Sequence, residues 1–199
     1  MVLAVAVLPI LAACGGAASP AKQSPQDMAV QQADVNGVSR CPQSGLPDAV
    51  VRALRDSGDS AGADELAGNW SDDQGRGGVD AYVVAYAASP SDCLHIFGSY
   101  GSAAINDLQN KWVVNYVVAF SNASQAKATW ANRASYLQNF DHTIGKSTGL
   151  GDTAVVVDAY PPQWFAAWST GASYSVLATN YDASIASKLA TKVVARMHQ

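Results

Sequence analysis

The segment from residue 112 to 120 constrains the fold of this chain more than any other. It is composed almost entirely of β-branched and aromatic residues, which favour strands. Side chains alternate between two faces along a strand, and here both faces are apolar except at Asn115. Apolar character on both faces is typical of a strand inside a sheet. We therefore predict a central β-strand over residues 112–120.

Further elements are predicted on both sides of this strand. Alternating apolar residues predict strands at 79–87, 154–160, 163–169 and 173–179. Helical periodicity and caps predict helices at 47–57 and at 182–197. A further helix is predicted after the central strand, with Ser121 or Asn122 as its N-cap and Leu137 in its inward face. A short helix at 91–99 would carry Cys93, and the Gly-, Ser- and Asp-rich residues 58–78 are predicted as a loop. The fold class is α+β, a mainly antiparallel sheet with helices packed on one face as a sandwich.

The last predicted helix is amphipathic. Asp182 is its expected N-cap, and Lys192 and Arg196 suit its C-terminal end because cations stabilise that end of the helix dipole. Its buried stripe is predicted to comprise Ile185, Ala186, Leu189, Ala190, Val193, Val194 and Met197. Its water-facing side is predicted to comprise Ser187, Lys188, Thr191, Lys192 and Arg196.

The N-terminus is typical of a bacterial lipoprotein export signal. An apolar run ends in Leu11-Ala12-Ala13-Cys14, and its length fits a signal-peptide core rather than a span of a bilayer about 30 Å thick. Residues 1–13 are the predicted signal peptide and Cys14 the acyl acceptor. No basic residue precedes Lys22, so we expect the true translation start to lie upstream. Residues 14–37 are predicted as a flexible tether, and residues 38–199 as a single domain.

Composition excludes some function classes. Charged residues make up 14% of the chain and the net charge is −4. Lys and Arg do not cluster in the sequence, so no nucleic-acid partner is expected, because phosphate binding needs a basic patch. The acidic residues Asp59, Asp64 and Asp72-Asp73 lack calcium-loop spacing and are predicted to form a solvated acidic loop. We expect no cofactor and no metal.

Cys41 and Cys93 remain after Cys14 is assigned to lipid. An even number of cysteines outside the cytoplasm predicts a disulfide, and closing so long a loop would contribute about 4 kcal/mol. Two free thiols are the alternative. A metal site that includes His95 would need ligands whose spacing the sequence does not supply.

Two arrangements in the sequence are candidates for catalysis. Residues 98–102 contain a serine between glycines, but without the spacing of a nucleophile elbow, so a turn is predicted. Asp141-His142 places an acid beside a base, although adjacent side chains usually point apart. The sequence therefore favours a non-enzymatic protein and assigns no catalytic residue. An envelope hydrolase that uses Asp141-His142 or a serine is the alternative.

Aromatic residues indicate a candidate ligand groove. Tyr160, Trp164 and Trp168 are spaced by four and share one face of a strand. Core packing explains most such residues, and a groove lined by them is the functional alternative. The turn at residues 149–152 before a strand is a second candidate. Glycine there more often meets a backbone need than a ligand.

The chain resembles small actinobacterial lipoproteins. The resemblance rests on Leu-Ala-Ala-Cys at 11–14, the strand and Ala-rich helix from 112, Gly-Leu-Gly-Asp-Thr-Ala at 149–154, and the final strand and helix. Residues 110–199 are also similar in layout to extracytoplasmic sensor-like domains of mycobacterial type, including those on serine/threonine kinases. This resemblance implies a disulfide-bonded α+β sandwich with a ligand groove and no defined activity.

The function expected from the sequence is that of a lipid-anchored lipoprotein at the outer face of the cell membrane. Acyl chains such as palmitate on Cys14 would hold it there. The domain would bind a small or lipidic ligand or an envelope protein without catalysis. The alternatives are the hydrolase above and a surface-exclusion lipoprotein encoded by a mobile element.

Overall fold

The computed structural model describes residues 23–98, 108–137, 143–145, 150–158 and 163–199. The helices within these ranges are α1 (Pro25–Met28), α2 (Pro47–Asp56), α3 (Ser60–Gly75), α4 (Pro90–Gly98), α5 (Ala123–Leu137) and α6 (Ala183–Met197). The strands are β1 (Ser39–Arg40), β2 (Gly78–Ala87), β3 (Trp112–Phe120), β4 (Thr143–Gly145), β5 (Thr153–Asp158), β6 (Trp164–Thr170) and β7 (Ser173–Thr179). All strand pairings described are antiparallel, in the order β1-β2-β3-β7-β6-β5-β4.

The predicted position of β3 inside the sheet is confirmed. Tyr116 of β3 pairs with Val83 of β2 on one side and with Val176 of β7 on the other. All nine residues of β3 are buried, as expected for a strand that has neighbours on both edges and cover on both faces. The α+β class and the antiparallel sheet are therefore confirmed.

Helices cover both faces of the sheet, which differs from the predicted packing on one face. One apolar core lies beneath α2, α3, α4 and α5 and includes Val114 and Phe120. The other lies beneath α1 and α6 and includes Val113 and Val117. The one-face prediction was wrong because the apolar residues on the second face of β2 and β3 also need cover from water.

Helix α3 corrects the prediction that residues 58–78 form a loop. Asp59 caps the helix by accepting a hydrogen bond from the Gly62 amide at 3.0 Å. Ala63 and Leu66 are buried and Trp70 packs against the same core, which gives the narrow apolar stripe that a surface helix needs. Tertiary packing therefore offsets the low helix propensity of glycine and serine in this segment.

The N-terminal segment corrects the predicted tether. Met28, Ala29 and Val30 are buried beneath the second face of the sheet. The amide of Val30 donates to Oδ1 of Asn115 at 3.0 Å, and the Tyr86 hydroxyl donates to the carbonyl of Val30 at 2.9 Å. Residues 24–37 thus belong to the folded domain, because these contacts compensate for their low apolar content. The tether prediction for residues 14–22 lies outside the described residues.

The predicted disulfide between Cys41 and Cys93 is confirmed. The two sulfur atoms are 2.06 Å apart, and both side chains are buried. The bond joins the residue after β1 to α4 across 52 positions of sequence. It therefore ties α4 to the edge of the sheet near β1 and β2.

The remaining predicted elements agree with the structure apart from small shifts at their ends. The strand predicted to reach Tyr160 is described as far as Asp158. Among the described residues, no helix combines the length and the apolarity that crossing a membrane requires.

Candidate functional site

The aromatic residues predicted to line a groove lie in different environments. Trp168 is completely buried beneath α6, where its Nε1 donates to Sδ of Met197 at 3.2 Å. Trp164 is half-buried beside a cavity of about 10 Å³, which has room for about one water molecule. Trp168 is therefore a core residue in this fold. Tyr160 lies outside the described residues, and a groove at that position stays a prediction.

A buried ion pair lies on the opposite face of the sheet. Asp73 of α3 is fully buried, and its Oδ2 accepts a hydrogen bond from the Tyr116 hydroxyl at 2.8 Å. Its Oδ1 lies 3.4 Å from a guanidinium nitrogen of Arg133 on α5. Burial raises the pKa of Asp73, although Arg133 and Tyr116 oppose that shift. This cluster holds α3 and α5 against β3.

The acidic residues near Asp73 do not form the solvated loop that the sequence predicted. Asp72 contacts Arg76 at 3.0 Å and Arg133 at 3.4 Å, and Asp59 caps α3. In the ranges that the structure describes, no group of three or more His, Cys, Asp or Glu side chains is placed to hold a metal ion.

A cleft of about 220 Å³ lies between the N-terminal segment and α6. Val35, Ile185 and Leu189 supply its apolar wall. The other lining residues are Asp34, Asn36, Tyr181, Lys188 and Lys192. The hydroxyl of Tyr181 donates to the carbonyl of Asn36 at 2.9 Å, so the two sides of the cleft are held together at that end.

Basic side chains dominate the electrostatics of the cleft. Lys188, Lys192 and Arg196 follow one another at every fourth position of α6 and so lie on one side of the helix. Asp34 pairs with Arg196 at 2.7 Å and with Lys192 at 3.2 Å. Lys188 is exposed, and the ion pairs found among the described residues do not include it. It is therefore placed to meet a negative group from outside.

The carboxyl group of Asp34 is held in its charged form by these neighbours. Burial alone would raise its pKa, but hydrogen bonds from Arg196, the Gln31 amide and Lys192 outweigh that effect and lower it. At the other end of the cleft, Nζ of Lys111 lies 5.5 Å from the centre of the Tyr181 ring. The cleft thus combines an apolar wall with two lining cations, Lys188 and Lys192.

Most residues of this cleft were not predicted as a site. Asp34 fell in the segment predicted to be a flexible tether. The one signal in the sequence was the spacing of Lys188, Lys192 and Arg196, which by itself indicated a solvated face of the helix.

Gly151 confirms the prediction that the backbone conformation requires a glycine in the turn before β5. Its φ is +62°, and a Cβ atom there would collide with the carbonyl of Ser169 and the side chain of Thr170. Asp152 stabilises the neighbouring hairpin by accepting from the Gly171 amide at 2.9 Å. Cys14, Ser99 and Asp141-His142 lie outside the described residues.

Comparisons with known proteins give one distant similarity in fold. No family model matches the chain, and no curated protein matches it. The crystal structure of the extracellular domain of PknH from Mycobacterium tuberculosis is similar, with a TM-score of 0.39 and 15% sequence identity. The match covers 62% of this chain and 66% of that chain.

Proposed function

We propose that this chain is an exported lipoprotein, anchored by acyl chains on Cys14, whose domain binds a small anionic or lipidic ligand without catalysis. Export is supported by the disulfide, since bonds between buried cysteines persist in oxidising compartments and are rare in the cytoplasm. Residues 15–22 would link the acylated cysteine to the domain.

The cleft beside α6 is the observation that carries the ligand proposal. Its wall of Val35, Ile185 and Leu189 suits a short apolar group, and Lys188 and Lys192 suit a phosphate or carboxylate. Its volume of about 220 Å³ is below that of pockets for drug-sized ligands, about 300–1,000 Å³. The ligand class that fits is a compact amphiphile with a negative head.

The buried Asp73 is not a candidate catalytic base. Both of its oxygens are engaged by Tyr116 and Arg133, so this carboxylate is not free to take a proton from a substrate. The hydrolase alternative uses Asp141-His142 or a serine, and Asp141-His142 lies outside the described residues.

Titration with hexyl phosphate tests the ligand proposal. In phosphatidylcholine nanodiscs that carry the lipidated protein, calorimetry should show saturable binding, and Lys188→Gln should weaken it about tenfold through loss of a charge-assisted hydrogen bond. Lys127→Gln is the matched control, since Lys127 is an exposed lysine of α5 on the opposite face of the sheet.

Hexanol is the control that distinguishes the contribution of the anionic head from that of the short alkyl chain. Hexanol should bind far more weakly than hexyl phosphate, because it keeps the alkyl group and lacks the charge. Equal binding of the two compounds, or equal effects of the two lysine substitutions, would contradict an anion site at the cleft.

A further inference from the structure

The row of cations on α6 begins where the chain enters the domain. Successive members of the row, Arg196, Lys192 and Lys188, are about 6 Å apart along the helix axis. Gln23, the first described residue, donates from Nε2 to Oε1 of Gln199 at 3.3 Å, next to the end of α6. Arg196 donates from Nε to the carbonyl of Met28 at 3.1 Å. The row is therefore about 12 Å long, and its Arg196 end lies near the entry point of the chain.

The length of chain before this entry point limits how far the row can lie from an acyl anchor. Nine peptide steps separate Cys14 from Gln23, and a fully extended chain of that length spans roughly 30 Å. A flexible chain of the same length has a typical span of roughly 17 Å. An acylated Cys14 would therefore keep the C-terminal end of α6 close to the lipid headgroups.

Charge complementarity favours one orientation of the domain at a membrane. The whole chain carries a net charge of −4, so a random orientation on an anionic surface is unfavourable. The row contains three cations. The acids near it are Asp34, which is paired with Lys192 and Arg196, and Asp27 on α1 at the entry point. Lys188 and Lys192 are exposed, and each basic residue at an anionic surface strengthens association about fivefold.

We infer that the α6 row docks the domain, through its exposed members Lys188 and Lys192, onto the anionic phospholipid surface of the membrane that holds its anchor. This inference rests on the proposed acylation of Cys14. In the docked state a phosphate headgroup meets Lys188 and Lys192 at the mouth of the cleft. The negative group that the cleft receives is then the headgroup phosphate of a bilayer lipid.

Lysine reactivity in nanodiscs tests the docking. The lipidated protein is placed in discs of phosphatidylcholine alone or mixed with phosphatidylglycerol, and an uncharged acetylating reagent is added. Mass spectrometry then follows each lysine. Acetylation of Lys188 should be about fivefold slower in the anionic discs. Lys127 on the opposite face should react at the same rate in both lipids, and it serves as the internal reference.

Two further arms separate docking through α6 from a general effect of anionic lipid on lysine reactivity. Lys192→Gln should remove most of the phosphatidylglycerol-dependent protection of Lys188, whereas Lys127→Gln should leave it intact. Equal Lys188 rates in both lipids, or equal slowing at Lys127, would overturn the docking. If dissolved hexyl phosphate slowed the acetylation of Lys188 but phosphatidylglycerol did not, the docking would be overturned and the proposed function would be kept. A chain that fails to enter the discs because Cys14 carries no lipid would overturn both.

Discussion

A variant with Cys41→Ala and Cys93→Ala is expected to lose about 4 kcal/mol of unfolding free energy. The disulfide closes a loop of 52 positions, and removing it restores the entropy of that loop to the unfolded chain. Domains of this size are stable by about 5–15 kcal/mol in total. The variant should therefore unfold at a much lower urea concentration, and α4 should be among the elements most affected.

Equilibrium unfolding in urea measures this loss, with the reduced wild type as its control. Wild-type protein in reductant should unfold close to the double variant, and reductant should have no effect on the double variant. The single variant Cys93→Ala should match the double variant, because either substitution opens the loop. A double variant within about 1 kcal/mol of the oxidised wild type would show that the bond contributes little.

Arg133→Met is expected to cost about 3–5 kcal/mol near neutral pH. The guanidinium lies 3.4 Å from the fully buried Asp73 and donates to Oδ1 of Asn69 at 2.8 Å. Methionine preserves much of the volume but leaves Asp73 as a buried charge without its ionic partner. Arg76→Met is the matched control, because Arg76 forms an exposed pair with Asp72, which should contribute less than about 1 kcal/mol.

The pH dependence of the Arg133→Met variant identifies the cause of its loss. Burial already raises the pKa of Asp73 above its unfolded value, and loss of Arg133 raises it further. A group whose pKa is higher in the folded state than in the unfolded state contributes its full stability below its pKa in the unfolded state, about 3.9 for Asp. That contribution is lost as the pH rises through its pKa in the folded state. The variant should therefore approach the wild type as pH falls toward about 4.

A second substitution completes this test. Adding Asp73→Asn should recover much of the stability near neutral pH, because an amide can accept the Tyr116 hydrogen bond without a buried charge. If Arg133→Met and Arg76→Met had equal and pH-independent effects, the buried pair would not be the cause.

Elements that obey local rules could be predicted from the sequence. Strands β3 and β7 coincide with the predicted ranges. Side chains alternate between the two faces of a strand, so the residue types on each face can be read directly from the sequence. Helix α6 begins as predicted, with Asp182 accepting from the Ile185 amide at 3.0 Å. The cysteine pairing was also predictable, because two candidates remained once Cys14 was assigned.

Elements stabilised by distant contacts could not be predicted. Val30 is held by Asn115, 85 positions away, so a tether-like composition concealed a folded segment. Trp168 illustrates a related limit, since spacing along a strand shows which residues share a face but not what covers it. The cleft depends on Asp34 meeting Arg196, 162 positions away, and no local pattern records that meeting.

Intact mass of the protein from the membrane fraction, with and without reductant, tests the central claim most directly. The claim is that a disulfide-bonded domain is held at the outer face of the membrane through Cys14. It predicts a chain that begins at Cys14, carries acyl chains and gains two hydrogen atoms on reduction. A chain that retains the residues before Cys14, carries no lipid and gains no mass on reduction would contradict it.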